Sequence, residues 1–143
     1  MKHTINLLST ILVVLLLNSS CSKSSDSSLV NNVTPIVTNG TWQVSLFSER
    51  GVNETSDFSG YSFTFQSDGK LIVQKGGATV KQGSWTEDNS SGKLIINLGV
   101  KDNTNKPLGQ LTDDWLLTSK SDTKISLTDD NTARNEILEF TKN

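Results

Sequence analysis

Two carboxylate pairs, Asp113-Asp114 and Asp129-Asp130, come nearest to chemistry in this 143-residue chain. Adjacent carboxylates can perform general acid–base catalysis or hold calcium. Neither pair has the one-three-five ligand spacing and the glycine of a calcium loop. Both therefore read as solvated charges, one at a strand edge and one in a turn. Glu136 and Glu139 fall on opposite faces of one strand by alternation, so they form no local dyad. Other reactive side chains are scarce: one histidine, His3, and one cysteine, Cys21. His3 lies in an N-terminal segment that reads as a cleaved export signal. Without it, serine–histidine–acid and cysteine–histidine catalysis are excluded, as are zinc sites built on histidine or cysteine. An enzyme here would have to work with carboxylates alone. The expectation is a protein that is not an enzyme and takes no cofactor and no metal.

The export reading rests on residues 1–20. Met1-Lys2-His3 carries positive charge and no acid, residues 11–17 are an unbroken apolar run, and Asn18-Ser19-Ser20 precede Cys21. This is the layout of a secretory signal, and the run is shorter than the roughly 20 residues of a membrane span. The segment resembles the signals of bacterial lipoproteins, in which small residues stand just before a cysteine that becomes the lipidated first residue. Ser19 and Ser20 match that box. Asn18 departs from it, with the aliphatic residue one place early at Leu17. The resemblance implies a thioether lipid on Cys21 and three acyl chains in all, enough for stable anchoring. Ser22 after the cysteine is compatible with passage to the outer membrane, on a face that the residues do not specify.

Loss of residues 1–20 takes thirteen basic residues to twelve against fifteen acidic ones, a formal balance of −3. A mildly acidic domain has no electrostatic footprint for nucleic acid. Residues 21–38 read as a serine-rich tether, with order beginning between Val33 and Asn39. The first part, 22–32, is too polar to bury a core. What remains, residues 39–143, is enough for one domain.

That domain shows period-two alternation broken by turn residues, with no 3.6-residue repeat. Strands are predicted over residues 41–48, 60–66, 70–75, 78–87, 93–98, 110–119, 124–128 and 134–142. Asp68-Gly69 and Gly76-Gly77 supply the positive φ of tight hairpin turns. Gly83 marks a bulge or a close approach of two backbones. Two longer polar connections, 49–59 and 99–109, are the expected contact surfaces. Eight short strands joined by tight turns predict an all-β, antiparallel up-and-down meander. Closing it into a β-barrel removes both exposed edges. A two-sheet sandwich is the rival arrangement. The expected interior is Trp42, Val44, Leu46, Phe63, Phe65, Leu71, Val73, Trp85, Leu94, Ile96, Trp115, Leu117, Ile125, Leu127, Leu138 and Phe140.

Gly40-Thr41-Trp42 on the first strand, with a long first loop after it, resembles the Gly-x-Trp signature of lipocalins. Phe63 to Gly69, Gly83-Ser84-Trp85, Trp115 and Leu138-Glu139-Phe140 are similar to small bacterial lipocalin-like lipoproteins. The resemblance implies a lipocalin-like β-barrel in which Gly40 and Trp42 are structural, Trp42 closing the barrel floor. The chain is short for a lipocalin and has no clear helix after its strands.

The aromatic interior offers two readings. Phe63, Phe65, Trp85, Ile96, Trp115, Leu117 and Phe140 line a pocket for a small apolar or amphipathic ligand, or they fill a solid core. The leading expectation is a lipid-anchored, monomeric envelope lipoprotein that binds such a ligand. The alternative is a solid scaffold whose loops bind or inhibit a protein, or bind a glycan.

Overall fold

The computed structural model describes residues 32–143; the signal segment, Cys21 and the first part of the tether lie outside the described residues. Nine strands form one antiparallel sheet: β1 (Trp42–Glu49), β2 (Val52–Asn53), β3 (Tyr61–Phe65), β4 (Lys70–Lys75), β5 (Ala78–Asp88), β6 (Lys93–Asn97), β7 (Asp113–Lys120), β8 (Lys124–Asp129) and β9 (Ile137–Lys142). Each of β3 to β8 pairs with the next in sequence, and β9 returns to β1, from Trp42↔Lys142 to Ser48↔Ile137. The sheet is thus a closed eight-stranded up-and-down barrel, and β2 is a two-residue flap on the end of β1. A sandwich would have left β1 and β9 unpaired with each other. The ring is weakest between β1 and β3, joined by the single pair Trp42↔Phe63.

The turns follow their residues. Gly69 has φ +84°, and Lys70 donates its N–H to the Asp68 side chain, fixing the β3–β4 hairpin. Gly76 and Gly77, both at positive φ, make the β4–β5 turn, as a type I′ geometry requires. Gly83 is a close approach: a Cβ there would lie 2.1 Å from the Asn97 carbonyl oxygen on the neighbouring strand.

Alternation places the core with few exceptions. Trp42, Phe63, Leu71, Val73, Leu94, Trp115, Ile125, Leu138 and Phe140 are fully buried. Their rings meet edge to face, Phe63 with Phe140 at 5.4 Å and Phe65 with both Trp85 and Phe140 at 5.6 Å between centroids. Leu46 is a correction. A bulge between Val44 and Leu46 shifts the parity of β1, so Phe47 points inward and Leu46 is half-buried. Leu117 is also only partly buried, beside a second register shift in β7.

Two strand boundaries differ from the sequence expectation, and the packed domain begins at the early edge of the interval expected for it. Within residues 33–39, where order is expected to begin, it begins at Val33: a short helix, α1 (Thr34–Val37), follows, and both Val33 and Val37 are buried. Pro35 suits its first turn, where a missing N–H costs nothing. Gln110 and Leu111 belong not to a strand but to a 3-10 turn, Leu108–Leu111, whose leucines fold under the sheet. The last strand begins at Ile137 rather than 134, because Asn135 adopts φ +47° and breaks the extended backbone.

Gly83→Ala is expected to cost about 1–3 kcal/mol as overpacking against a backbone that cannot yield. Phe65→Ala is expected to cost about 3–5 kcal/mol. Urea midpoints at unchanged m-value check both, and a neutral Gly83→Ala would contradict the close approach.

Candidate functional site

An up-and-down barrel sorts its connections to two ends. The chain enters at one end, and the β3–β4, β5–β6 and β7–β8 turns share it. The β1–β3, β4–β5, β6–β7 and β8–β9 connections occupy the far end. The two ends are built differently.

At the entry end, α1 lies under the barrel. The Glu87 carboxylate accepts the N–H groups of Val33 and Thr34 and the Thr34 hydroxyl, and Lys120 donates to the Asn32 carbonyl. The Trp42 indole N–H donates to the Val37 carbonyl at 2.8 Å. Trp42 is completely buried and closes this floor, and Lys142 lies over its ring. Gly40 has φ +102°, and a Cβ there would meet the Lys142 side chain at 2.7 Å.

The expected ligand-lining residues come together, but as a packed interior. Phe63, Phe65, Ile96, Trp115 and Phe140 are at most 1% exposed, and Trp85 is 7% exposed. The Trp85 and Trp115 indoles donate to the Gln66 and Leu111 carbonyls. Concave space lies outside the barrel instead. The gap between β1 and β3 is a groove of about 490 Å³ lined by Gln43, Val44, Phe58 and Tyr61 among others.

The far end gathers charge that the sequence scatters over ninety residues. Asp113 opens β7, Asp129 ends β8 and Glu136 precedes β9, and one carboxylate oxygen from each lies within 4.8 Å of the others. Lys101 Nζ, from the β6–β7 connection, stands 2.8 Å from Glu136 and 3.3 Å from Asp113. Arg134 Nη1 stands 3.4 Å from Asp113 and 3.8 Å from Asp129. Beside them, the Gln110 amide donates to Glu54 at 2.7 Å and to Glu49 at 3.2 Å. The reading of Asp113 and Asp129 as solvated charges is corrected here. Asp129 and Glu136 are buried, and Asp113 is half-buried. Asp114 and Asp130 do face outward, clasping Lys93 at 2.7 and 2.6 Å. Lys101, Gln110, Arg134 and Glu136 had no sequence signal, since what groups them is the closing of the ring.

Burial pushes the Glu136 carboxyl above its usual range. Lys101 pulls it back only in part, and the nearby Glu49 and Asp129 charges push it further up. For Lys101, burial acts downward, but Glu136 and Asp113 outweigh it and its pKa is raised. An ion pair alone would have lowered the acid; here desolvation and like charge win over the single ammonium.

No family model matches the chain, and no curated protein matches it. A crystal structure of a DUF4847 family protein from Bacteroides vulgatus superposes with a TM-score of 0.58 at 18% sequence identity, over 78% of this chain and 98% of that one. At that identity the likeness is one of fold. It shares the barrel and carries no residue assignment.

A carboxyl whose pKa is raised by folding contributes stability below its unfolded value, lost as pH rises through the folded value. The unfolding midpoint of the unaltered protein, measured against that of Glu136→Gln, is therefore expected to fall from pH 4 to pH 8. A difference that grows with pH would show the Glu136 pKa to be lowered instead.

Proposed function

We propose that this protein is a lipid-anchored, non-catalytic component of the bacterial cell envelope that acts as a solid scaffold. In this reading Cys21 carries the lipid, and the connections at the far end meet a protein or glycan partner. The observation that carries it is the filled interior. Six of the seven side chains expected to line a cup are packed against one another, at most 7% exposed, with their indole N–H groups satisfied. A ligand would have to displace aromatic side chains that already bury each other, at a cost of several kcal/mol.

The meander supports the same reading. The chain reaches the barrel from the side of residue 32, at the end closed by α1. A lipid at Cys21 would leave about eleven residues between the bilayer and that end. A flexible chain of this length spans roughly 20 Å. The far end, with the three longer connections, would then point away from the membrane. The likeness to small lipocalin-like lipoproteins agrees with the barrel and with the place of Trp42.

A second reading is favoured by one observation, the groove between β1 and β3. Its volume of about 490 Å³ lies within the range of small-molecule sites, roughly 300–1,000 Å³. An amphipathic ligand would bind there on the barrel wall.

Two experiments test these statements. Cys21→Ser is expected to move the protein from the membrane to the soluble fraction, and retention in the membrane would remove the anchor. Crosslinking on intact cells is expected to capture a partner that is lost when residues 49–59 are replaced. Mass spectrometry that finds a bound lipid or metabolite on the purified protein, with capture unaffected by the replacement, would favour the groove.

A further inference from the structure

We propose that Asp113, Asp129 and Glu136 form a calcium site whose place is held by the Lys101 ammonium, which calcium displaces. This goes beyond the scaffold reading and stands whether or not the far-end loops bind a partner.

Geometry comes first. Oxygens that share one cation lie no further apart than twice the metal–oxygen distance. For calcium, at about 2.3–2.6 Å, that limit is roughly 5 Å; for magnesium, at about 2.0–2.1 Å, it is roughly 4 Å. The three oxygens lie within 4.8 Å of one another. That bound is compatible with one shared cation. A set of three protein carboxylates suits calcium, since magnesium keeps several waters and takes one or two carboxylates, and an all-oxygen set suits a hard cation rather than zinc.

A separate observation points to a missing partner. Asp129 is 5% exposed, and its Oδ1 accepts the Asn131 N–H. Its Oδ2 is buried and accepts no hydrogen bond. Arg134 Nη1 stands 3.8 Å from it, beyond hydrogen-bonding reach, on a side chain that is about half exposed. A buried carboxylate oxygen without a donor costs free energy that a cation would recover. The Gln110 side-chain oxygen, buried at the same end, also lacks a donor.

Charge decides what Lys101 does. Three carboxylates face one ammonium and one loosely placed guanidinium, which leaves one negative charge uncompensated. Lys101 follows Val100, which is 70% exposed, and its own side chain is about a quarter exposed. Its amine can therefore leave for water without unpacking the barrel. A divalent ion taking its place neutralises the cluster more fully and can be ligated by Asp129, which Lys101 does not pair with. The competing account is a closed ion-pair network, in which Lys101 is the permanent partner and calcium adds nothing.

The test is a titration of the chelator-treated, full-length protein with calcium chloride, followed by thermal unfolding and calorimetry. Magnesium chloride and sodium chloride of matched ionic strength serve as controls. Calcium is expected to raise the unfolding temperature, with half-saturation at about 0.1–1 mM, the range of extracellular calcium modules. Magnesium should act much more weakly. Lys101→Met, which removes the resident cation, should bind calcium several-fold more tightly, and Asp129→Asn should abolish binding. An effect of calcium no larger than that of magnesium or matched salt overturns the site, and the unaltered protein alone can give that result. Binding that survives Asp129→Asn overturns the assignment of the ligands. A Lys101→Met protein that folds and binds no more tightly overturns the role of Lys101.

Discussion

Three indoles inside a ring of eight strands set the terms for the rest of this structure. A tryptophan brings large apolar area into a core together with one N–H that cannot be left without an acceptor. Strand backbones in a closed sheet have their carbonyls engaged with one another, so the acceptors must come from the connections. Trp42 uses Val37 in α1, Trp85 uses Gln66 in the β3–β4 turn, and Trp115 uses Leu111 in the turn before β7. The same groups that fill the middle therefore pin three connections to it. The helix at the floor is held from inside by Trp42 and from outside by the Glu87 carboxylate.

In the proposed scaffold reading, a filled middle leaves recognition to the surface. Edge-to-face contacts among Phe63, Phe65, Trp85 and Phe140 leave the centre of the barrel to side chains. The meander then divides the outside into unlike ends. One end is closed by α1 and tight turns and receives the chain. The other carries the longer connections and concentrates partly buried charge around Lys101 and Arg134. Buried ion pairs of this kind are poor sources of stability, because desolvation offsets much of their attraction.

Much of the barrel was legible because alternation is a local property. Phe63 and Phe65, Leu71 and Val73, Leu94 and Ile96, and Leu138 and Phe140 fall inside as their parity requires. Gly69, Gly76 and Gly77 mark their turns because few other residues tolerate those φ values. Leu46 failed for the reason that parity succeeds elsewhere: one extra residue in a bulge inverts every side chain beyond it, and Phe47 carries no local mark of that. The connection 49–59 was read as polar and yields the buried Phe58, which packs against Phe47 at 5.2 Å once the strand end is in place. The helix α1 carries no mark in the sequence, since four helical residues are too few for periodicity to show.

The far-end cluster was not legible as a cluster. Asp113, Asp129 and Glu136 stand in sequence as ordinary turn and strand-edge acids, and Lys101 and Gln110 as loop residues. What the amino-acid sequence determined by itself is what nearest neighbours can encode: which segments extend, where they turn, which face is apolar, and that no histidine lies beyond His3. What only the tertiary structure decided is which connections share an end and whose charges meet. That depends on β9 finding β1, a contact between the two ends of the domain whose register no local pattern carries.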